Sequence, residues 1–307
     1  MFEQTVEDIK SLKIQGAHNI CIQAVEAFIE KKNDLVRAHT FVSSLLKDLH
    51  IAKDTLFETR PTEPALRNAL NYIFKPEIYI ELEQKALNEE FDRRANIVLQ
   101  YLLTSKKRIA HVGAKKIKNG MVVYTHCHSS CVVDILLEAK QNGKRFVVVN
   151  TETRPRYQGR ITATILAKAG IKVNHFVDSA IRIAIKEADI ALIGADAIDY
   201  NMKIYNKIGS EMIAEIANLY HVPVYVCTDS LKYDPNTSKI HKEKLEERNP
   251  DEVWENPPKG VTIQNFAFEK INPELVAGII CELGIIKPKD FVEEIQKKYP
   301  EWFGKHK

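Results

Sequence analysis

Residues 125–133 read THCHSSCVV, and this stretch places two histidines, two cysteines and two serines within a few positions. Three chemistries fit these residue types. A zinc site would take His126, Cys127, His128 and Cys131 as ligands. On an extended strand His126 and Cys127 point to opposite faces, and no second Cys-x-x-Cys or His-x-x-x-His pair completes a set. A Cys127–Cys131 redox pair lacks the Cys-x-x-Cys spacing. The remaining reading is a single thiol. Cys127 is then a base or nucleophile whose pKa a following helix N-terminus lowers, or a small residue filling a strand end. Ser129 and its neighbours suit the start of that helix, where side chains cap and backbone N–H groups hold phosphate.

Other polar residues gain meaning from the elements that carry them. After Asn119-Gly120, short apolar runs alternate with amphipathic stretches: MVVYTH, RFVVVNT, KVNHFV, DIALIGA and PVYVCT, separated by ILLEAKQNG, ITATILAKAG and GSEMIAEIANLYH. This alternation predicts β-α-β units around a parallel sheet whose strands are covered on both faces. Ligands of such sheets sit outside the carboxyl ends of the strands. The strand exits offer Cys127, Arg154, Asp178, Asp196, Lys207 and Lys232, a rim suited to a small anionic substrate. Asp196, after Gly-Ala, is a general acid with a raised pKa or a helix N-cap. Arg60, Arg154, Arg156 and Arg160 are either bidentate phosphate ligands or surface ion pairs.

The residues before this sheet show apolar positions three and four apart, as in CIQAVEAFIEKK and EEFDRRANIVLQYLL, which predicts helices. Pro61 and Pro64 break the pattern and open a new helix. The expected fold is α/β: an N-terminal helical domain over 1–119, then a Rossmann-like, mostly parallel sheet with helices on both faces over 120–307. Residues 229–260 read as a polar surface loop, VTIQNFAF as a return to the sheet, and ELVAGIICELG and KDFVEEIQKK as closing helices.

Composition excludes several classes. The 307 residues are 45% hydrophobic and 28% charged, and 44 basic against 41 acidic residues leave a net charge of +3. That near-balance argues against a nucleic-acid partner. No apolar run reaches the roughly 18 residues a spanning helix needs, and the start lacks the pattern of a signal peptide, so no membrane association and a cytoplasmic location are expected. The five scattered cysteines then read as thiols.

Nine collinear segments resemble one superfamily: IQGAHNI (14–20), FETRPT (57–62), THCHSS (125–130), TETRPRYQGRITA (151–163), VDSA (177–180), GADAI (194–198), NKIGS (206–210), LKY (231–233) and ELGIIKP (282–288). The superfamily holds the regulatory subunits of translation initiation factor 2B, methylthioribose-1-phosphate isomerase and archaeal ribose-1,5-bisphosphate isomerase. FETRPT, THCHS and the QG after the second ETRP most resemble the last. The resemblance implies conversion of ribose 1,5-bisphosphate to ribulose 1,5-bisphosphate in archaeal AMP and nucleoside salvage, with no cofactor and no metal. It implies Cys127 as proton acceptor and Asp196 as proton donor. The substrate-binding set it implies comprises Gln15, Gly16, Ala17, His18, Arg60, Ser129, Ser130, Cys131, Arg154, Asn206, Lys207 and Lys232. Two positions depart from the family pattern: Gln15 stands where Arg is usual, and Ser130 where Lys is common. A non-catalytic initiation factor 2B-like subunit and a methylthioribose-1-phosphate type of isomerase are the alternatives. The superfamily and the apolar ELVAGIICELGII also suggest a homo-oligomer, dimer or hexamer.

Overall fold

A computed structural model describes residues 1–14, 16–235, 237 and 247–304, and divides into two compact units. The first comprises Met1–Thr104 with Gln296–Lys307, the second Ser105–Ile295.

The first unit is helical. Its elements are α1 (Phe2–Lys10), α2 (Ala17–Ala38), α3 (Val42–Thr59), α4 (Pro64–Ile73), α5 (Pro76–Tyr79) and the greater part of α6 (Gln84–Ala114). Pro64 opens α4 as expected, because its missing N–H is not needed in a first helical turn. The aromatic rings of Phe28, Phe74, Tyr79 and Phe91 pack together, with Phe28 and Phe91 centroids 5.2 Å apart. Beside them Lys32 is fully buried, its ammonium donating to Asn88 at 2.6 Å and Asp92 at 2.7 Å. A buried charge is tolerated only when paired in this way.

The second unit runs β1 (Val122–Thr125), α7 (Ser130–Gln141), β2 (Val147–Thr151), α8 (Gln158–Lys168), β3 (Lys172–Phe176), α9 (Ile181–Lys186), β4 (Ile190–Ile193), β5 (Ala197–Ile198), β6 (Ile204–Lys207), α10 (Ser210–Leu219), β7 (Val224–Cys227), β8 (Phe268–Ile271), β9 (Gly278–Cys281) and β10 (Gly284–Ile286). Then come α11 (Phe291–Lys298) and, in the first unit, α12 (Pro300–Phe303). Seven strands form one sheet in the order β10-β9-β7-β4-β1-β2-β3, parallel except at the β9–β10 hairpin. This is the expected Rossmann-like α/β sheet. Its chain leaves β1 toward β2 and β3, then crosses back to place β4 on the other side of β1. The crevice between the carboxyl ends of β1 and β4 is therefore the topological switch point, where such sheets bind ligands. Helices α7 and α8 pack together, as do α9 and α10, and the right-handed rule for crossovers between parallel strands puts the two pairs on opposite faces.

Three expectations are corrected. ELVAGIICELG is not a helix: Gly278–Cys281 is strand β9, buried between β7 and β10. Its apolar character serves the sheet interior and gives no support to an oligomer surface. KVNHFV is not covered on both faces, because β3 is an edge strand with Lys172, Asn174 and His175 exposed. The 229–260 segment does not begin on the surface, since 229–234 is buried throughout. VTIQNFAF leads into β8, which pairs with β6 in a separate antiparallel sheet of order β5-β6-β8.

Candidate active site

The two residues on either side of the switch point are held by different devices. Strand β1 ends at Thr125, and Cys127 adopts the left-handed conformation with φ 62°. Strand alternation therefore stops short of Cys127 and does not set its direction. Its backbone does. The Cys127 N–H donates to Thr153 Oγ1 at 3.0 Å, and Thr162 Oγ1 donates to the Cys127 carbonyl at 2.8 Å. Thr153 is itself left-handed, φ 61°. Asp178 fixes it by accepting the N–H groups of Thr153 at 2.8 Å and Arg154 at 2.7 Å. A β-carbon makes this conformation costly, so it persists only where neighbours over-determine it.

His126 is buried and committed at both ring nitrogens. Nε2–H donates to the Ile208 carbonyl at 2.9 Å, and Nδ1 faces Thr151 Oγ1 at 2.9 Å. Burial lowers its pKa, so the ring is neutral. A zinc ligand role would require breaking one of these bonds. Among the described residues no group of three or more His, Cys, Asp or Glu side chains is arranged to hold a metal ion. His128 lies beside Thr162, Nδ1 to Oγ1 at 3.0 Å.

The Cys127 thiol does not have the lowered pKa expected from a helix start. Burial pushes it up to about 12. The His128 N–H and the charges of Lys207 and Arg248 favour the thiolate, and Asp196 opposes it, but removal from water outweighs them. Cys131, inside α7, is likewise raised to about 12 by burial, with the charges of Asp229, Lys106 and Lys232 reaching it.

Asp196 follows β4 and does not cap a helix: it occupies the bend before β5, its N–H donating to the Tyr205 carbonyl at 2.8 Å. Gly194 just before it lies against the α7 start. A β-carbon there would come within 2.9 Å of Ser129 Cβ and Oγ. Ser129 is the N-cap of α7 and accepts from the Val132 N–H at 3.4 Å, as capping serines do. Ser130 and Cys131 are the first residues of that helix.

Asn206 and Lys207 end β6 and are 5% and 3% exposed. Asn206 donates to Ser210 Oγ at 2.9 Å, and Ser210 donates to the Lys207 carbonyl at 2.6 Å. Gly209 next to them has φ 99°, which favours glycine, and a β-carbon there would press on His126 Nε2 at 3.3 Å. Burial lowers the Lys207 pKa, with Cys127 and Asp196 acting in the opposite direction and Arg248 adding to the fall. Lys232 is buried in the turn after β7.

The second unit thus brings Cys127, Ser129, Asp196, Asn206 and Lys207 to one region. The Arg154 guanidinium instead donates to Tyr157 Oη at 2.7 Å and the Val253 carbonyl at 3.1 Å. Arg156 pairs with Glu252 and Arg160 with Glu152. Gly16, Ala17, His18 and Arg60 belong to the first unit: Gly16 caps α2, Ala17 and His18 start it, and Arg60 ends α3 and pairs with Glu63 at 3.4 Å. Gln15 lies outside the described residues. Thr153, Thr162 and Arg248 act on Cys127 without having been singled out in the sequence; only their nearness after folding reveals them. Gln158 Oε1, at the start of α8, and Thr228 Oγ1, just after β7, are buried without a hydrogen-bond partner among the described residues. A hydroxylated ligand would satisfy such groups.

This fold and this switch-point geometry place the chain in a defined class: residues 13–288 match the model of the initiation factor 2 subunit family, and the chain belongs to it. Within that class, it is 36% identical over 307 residues to a ribose 1,5-bisphosphate isomerase of Methanocaldococcus jannaschii, covering 99% of this chain and 97% of that one. A ribose 1,5-bisphosphate isomerase of Archaeoglobus fulgidus is 35% identical over 291 residues, covering 93% and 90%. A crystal structure of Pyrococcus horikoshii translation initiation factor eIF-2B superposes with a TM-score of 0.79 at 28% identity, covering 94% of this chain and 98% of that one. No helix among the described residues is long and apolar enough to cross a membrane.

Proposed function

We propose that this chain, an isomerase of sugar phosphates, converts ribose 1,5-bisphosphate to ribulose 1,5-bisphosphate and serves AMP and nucleoside salvage. The observation that carries the reading is the pairing of a thiol and a carboxyl group across the β1/β4 switch point, with the buried cation Lys207 acting on both. A protein that only docks a partner has no use for an acid–base pair at a ligand crevice. The kinship with two ribose 1,5-bisphosphate isomerases supports the choice of sugar.

The phosphate on the C1 oxygen prevents simple opening to a free aldehyde. Asp196, arriving protonated, gives its proton to the ring oxygen as the C1–O bond breaks. Cys127, as thiolate, takes the C2 proton, and the electron pair forms the C1=C2 bond of an enol. The thiol then returns a proton to C1, the Asp196 carboxylate takes the proton of the C2 hydroxyl, and the ketone forms. Both groups end in their starting state, and the proton count balances. Asn206, Lys207 and Ser129 line the same crevice and bind the substrate. The high resting pKa of Cys127 makes Lys207 important, because its charge stabilises the thiolate that the first step consumes.

Assay of the purified chain on ribose 1,5-bisphosphate tests the reading. Cys127→Ser and Asp196→Asn are each expected to lower kcat by roughly 10²–10⁴-fold, the usual range for a general acid or base. Full turnover by Cys127→Ser would remove the base from the mechanism. Tight binding of initiation factor 2 without isomerase activity in the wild type would favour a regulatory subunit instead.

A further inference from the structure

Cys127 and Lys207 stand at the exits of two different sheets. Strand β1 belongs to the seven-stranded sheet and β6 to the sheet β5-β6-β8, so no strand register sets the spacing of the two residues. The turn from β6 into α10 is tied to its own sheet. The Ile208 N–H donates to the Ala267 carbonyl at 3.1 Å, and the Glu211 N–H to Glu269 Oε1 at 2.9 Å. The His126 ring crosses between the two exits. It sits next to Cys127 in the chain, and its Nε2 meets, at 2.9 Å, the carbonyl of Ile208, the residue after Lys207.

The direction of each bond in this crossing follows from its partners. A carbonyl only accepts, so Nε2 carries the ring hydrogen. Burial keeps the ring neutral; the Ile208 carbonyl and the charge of Asp178 favour protonation, and the charge of Lys207 opposes it. Nδ1 is therefore an acceptor. Thr151 Oγ1 donates to it at 2.9 Å, and Tyr124 Oη donates to Thr151 Oγ1 at 3.3 Å. All three side chains are buried. Thr153 Oγ1, 3.5 Å from the same Nδ1, accepts the Cys127 N–H at 3.0 Å. A buried network with every member satisfied specifies one arrangement of the groups it joins.

We propose that His126 is a positioning residue for the base: its ring fastens the β6 exit to the β1 exit and so holds the Lys207 ammonium within reach of the Cys127 sulfur. His126 touches no reacting atom in this role. It acts through Lys207, whose charge favours the thiolate. The role in catalysis rests on the acid–base reading given above.

A double-mutant cycle tests it, read by iodoacetamide labelling of Cys127 at pH 9 with detection by peptide mass. His126→Phe keeps a ring and loses both hydrogen bonds, and should slow labelling roughly three- to tenfold. His126→Gln retains an N–H donor toward Ile208 and should recover most of the rate. In a Lys207→Met background, His126→Phe should change the rate by roughly twofold or less, because no cation is left to misplace. Equal slowing in the two backgrounds, no slowing in His126→Phe, or a loss in His126→Gln as deep as in His126→Phe overturns the role. The wild type supplies a readout that needs no variant to fold. Nitrogen NMR of histidine-labelled protein at pH 7 should show a buried neutral ring with its hydrogen on Nε2, and finding only imidazolium or Nδ1–H rings would also overturn the role. Assay on ribose 1,5-bisphosphate separates this role from the reading beneath it. The expected coupling in a chain without isomerase activity keeps the positioning of Cys127 and rejects the acid–base reading. An active chain whose labelling shows no coupling does the reverse.

Discussion

At Cys127 the backbone and the thiol answer to different forces. A hydrogen bond from the Cys127 N–H to Thr153 and one from Thr162 to the Cys127 carbonyl fix where the residue sits, and burial sets the charge the sulfur carries at rest. A thiol pushed up to about 12 is protonated at neutral pH, so the thiolate needed for proton abstraction is a minor species stabilised by Lys207 and Arg248. Labelling of the free enzyme with iodoacetamide reads this directly. The Cys127 rate should keep climbing through pH 10 without a plateau, and Lys207→Met should lower it further. A plateau near pH 7 would mean that the helix start and the cations overcome burial. The placement of this residue was legible in the sequence, because the strand-exit rule offers Cys127, Arg154, Asp178, Asp196, Lys207 and Lys232, and the fold gathers Cys127, Asp196 and Lys207 from that set. Its acidity was not legible. Burial is a property of the packed site, and the same THCHSS would be acidic on an exposed helix start. Arg248 was hidden for a related reason: it is one cation among many in a polar connection, and its place beside Phe268 arises from its backbone bond to Asn265 and the bridge between Glu247 and Phe266.

At the scale of elements, the site depends on how closely the β4 exit approaches the α7 start. Gly194 permits that approach, because a β-carbon would meet Ser129 at 2.9 Å. Gly194→Ala should therefore push the Ser129 cap away from the Asp196 bend. Forced overpacking of this kind costs about 1–3 kcal/mol, and thermal unfolding measures it. Activity should fall more than stability does, since Ser129 and Asp196 both move. Unchanged melting and turnover would show that the contact yields freely. The parallel strands β1, β2, β4 and β7 were legible from apolar runs of the right length and spacing. The sheet β5-β6-β8 was not, because β5 is only two residues long, shorter than any periodicity can register. ELVAGIICELG suits a helix by sequence for a physical reason too. A short apolar run fits a buried helix and a buried strand equally by periodicity. Gly278 allows the close packing that decides it: a β-carbon there would lie 3.1 Å from Ile285 and 3.3 Å from the Tyr225 ring.

For the whole molecule, the buried titratable groups set the pH range in which the fold is stable. Burial lowers the pKa of His126 and His128 below their ordinary 6.5. The unfolded chain then takes up protons first as pH falls below that value, so their contribution to stability is present above 6.5 and is lost in acid. The cysteines act on the other side. Cys127, Cys131 and Cys281 are raised from 9.0 to about 12, and Cys227 is raised well above 9.0, each chiefly by burial. The unfolded chain releases these protons first, so their contribution is full below 9.0 and is lost as pH rises toward 12. The thermal midpoint should consequently be level between pH 7 and 8.5 and fall on both sides, by roughly 2–4 °C for each kcal/mol in a chain of this size. Cys281→Ala separates the alkaline limb from general base damage. Its midpoint should be lower at pH 8 because a packed sulfur is lost, yet decline less steeply above pH 9 than the wild type. Parallel alkaline limbs in the two proteins would show that Cys281 stays protonated for reasons other than the fold.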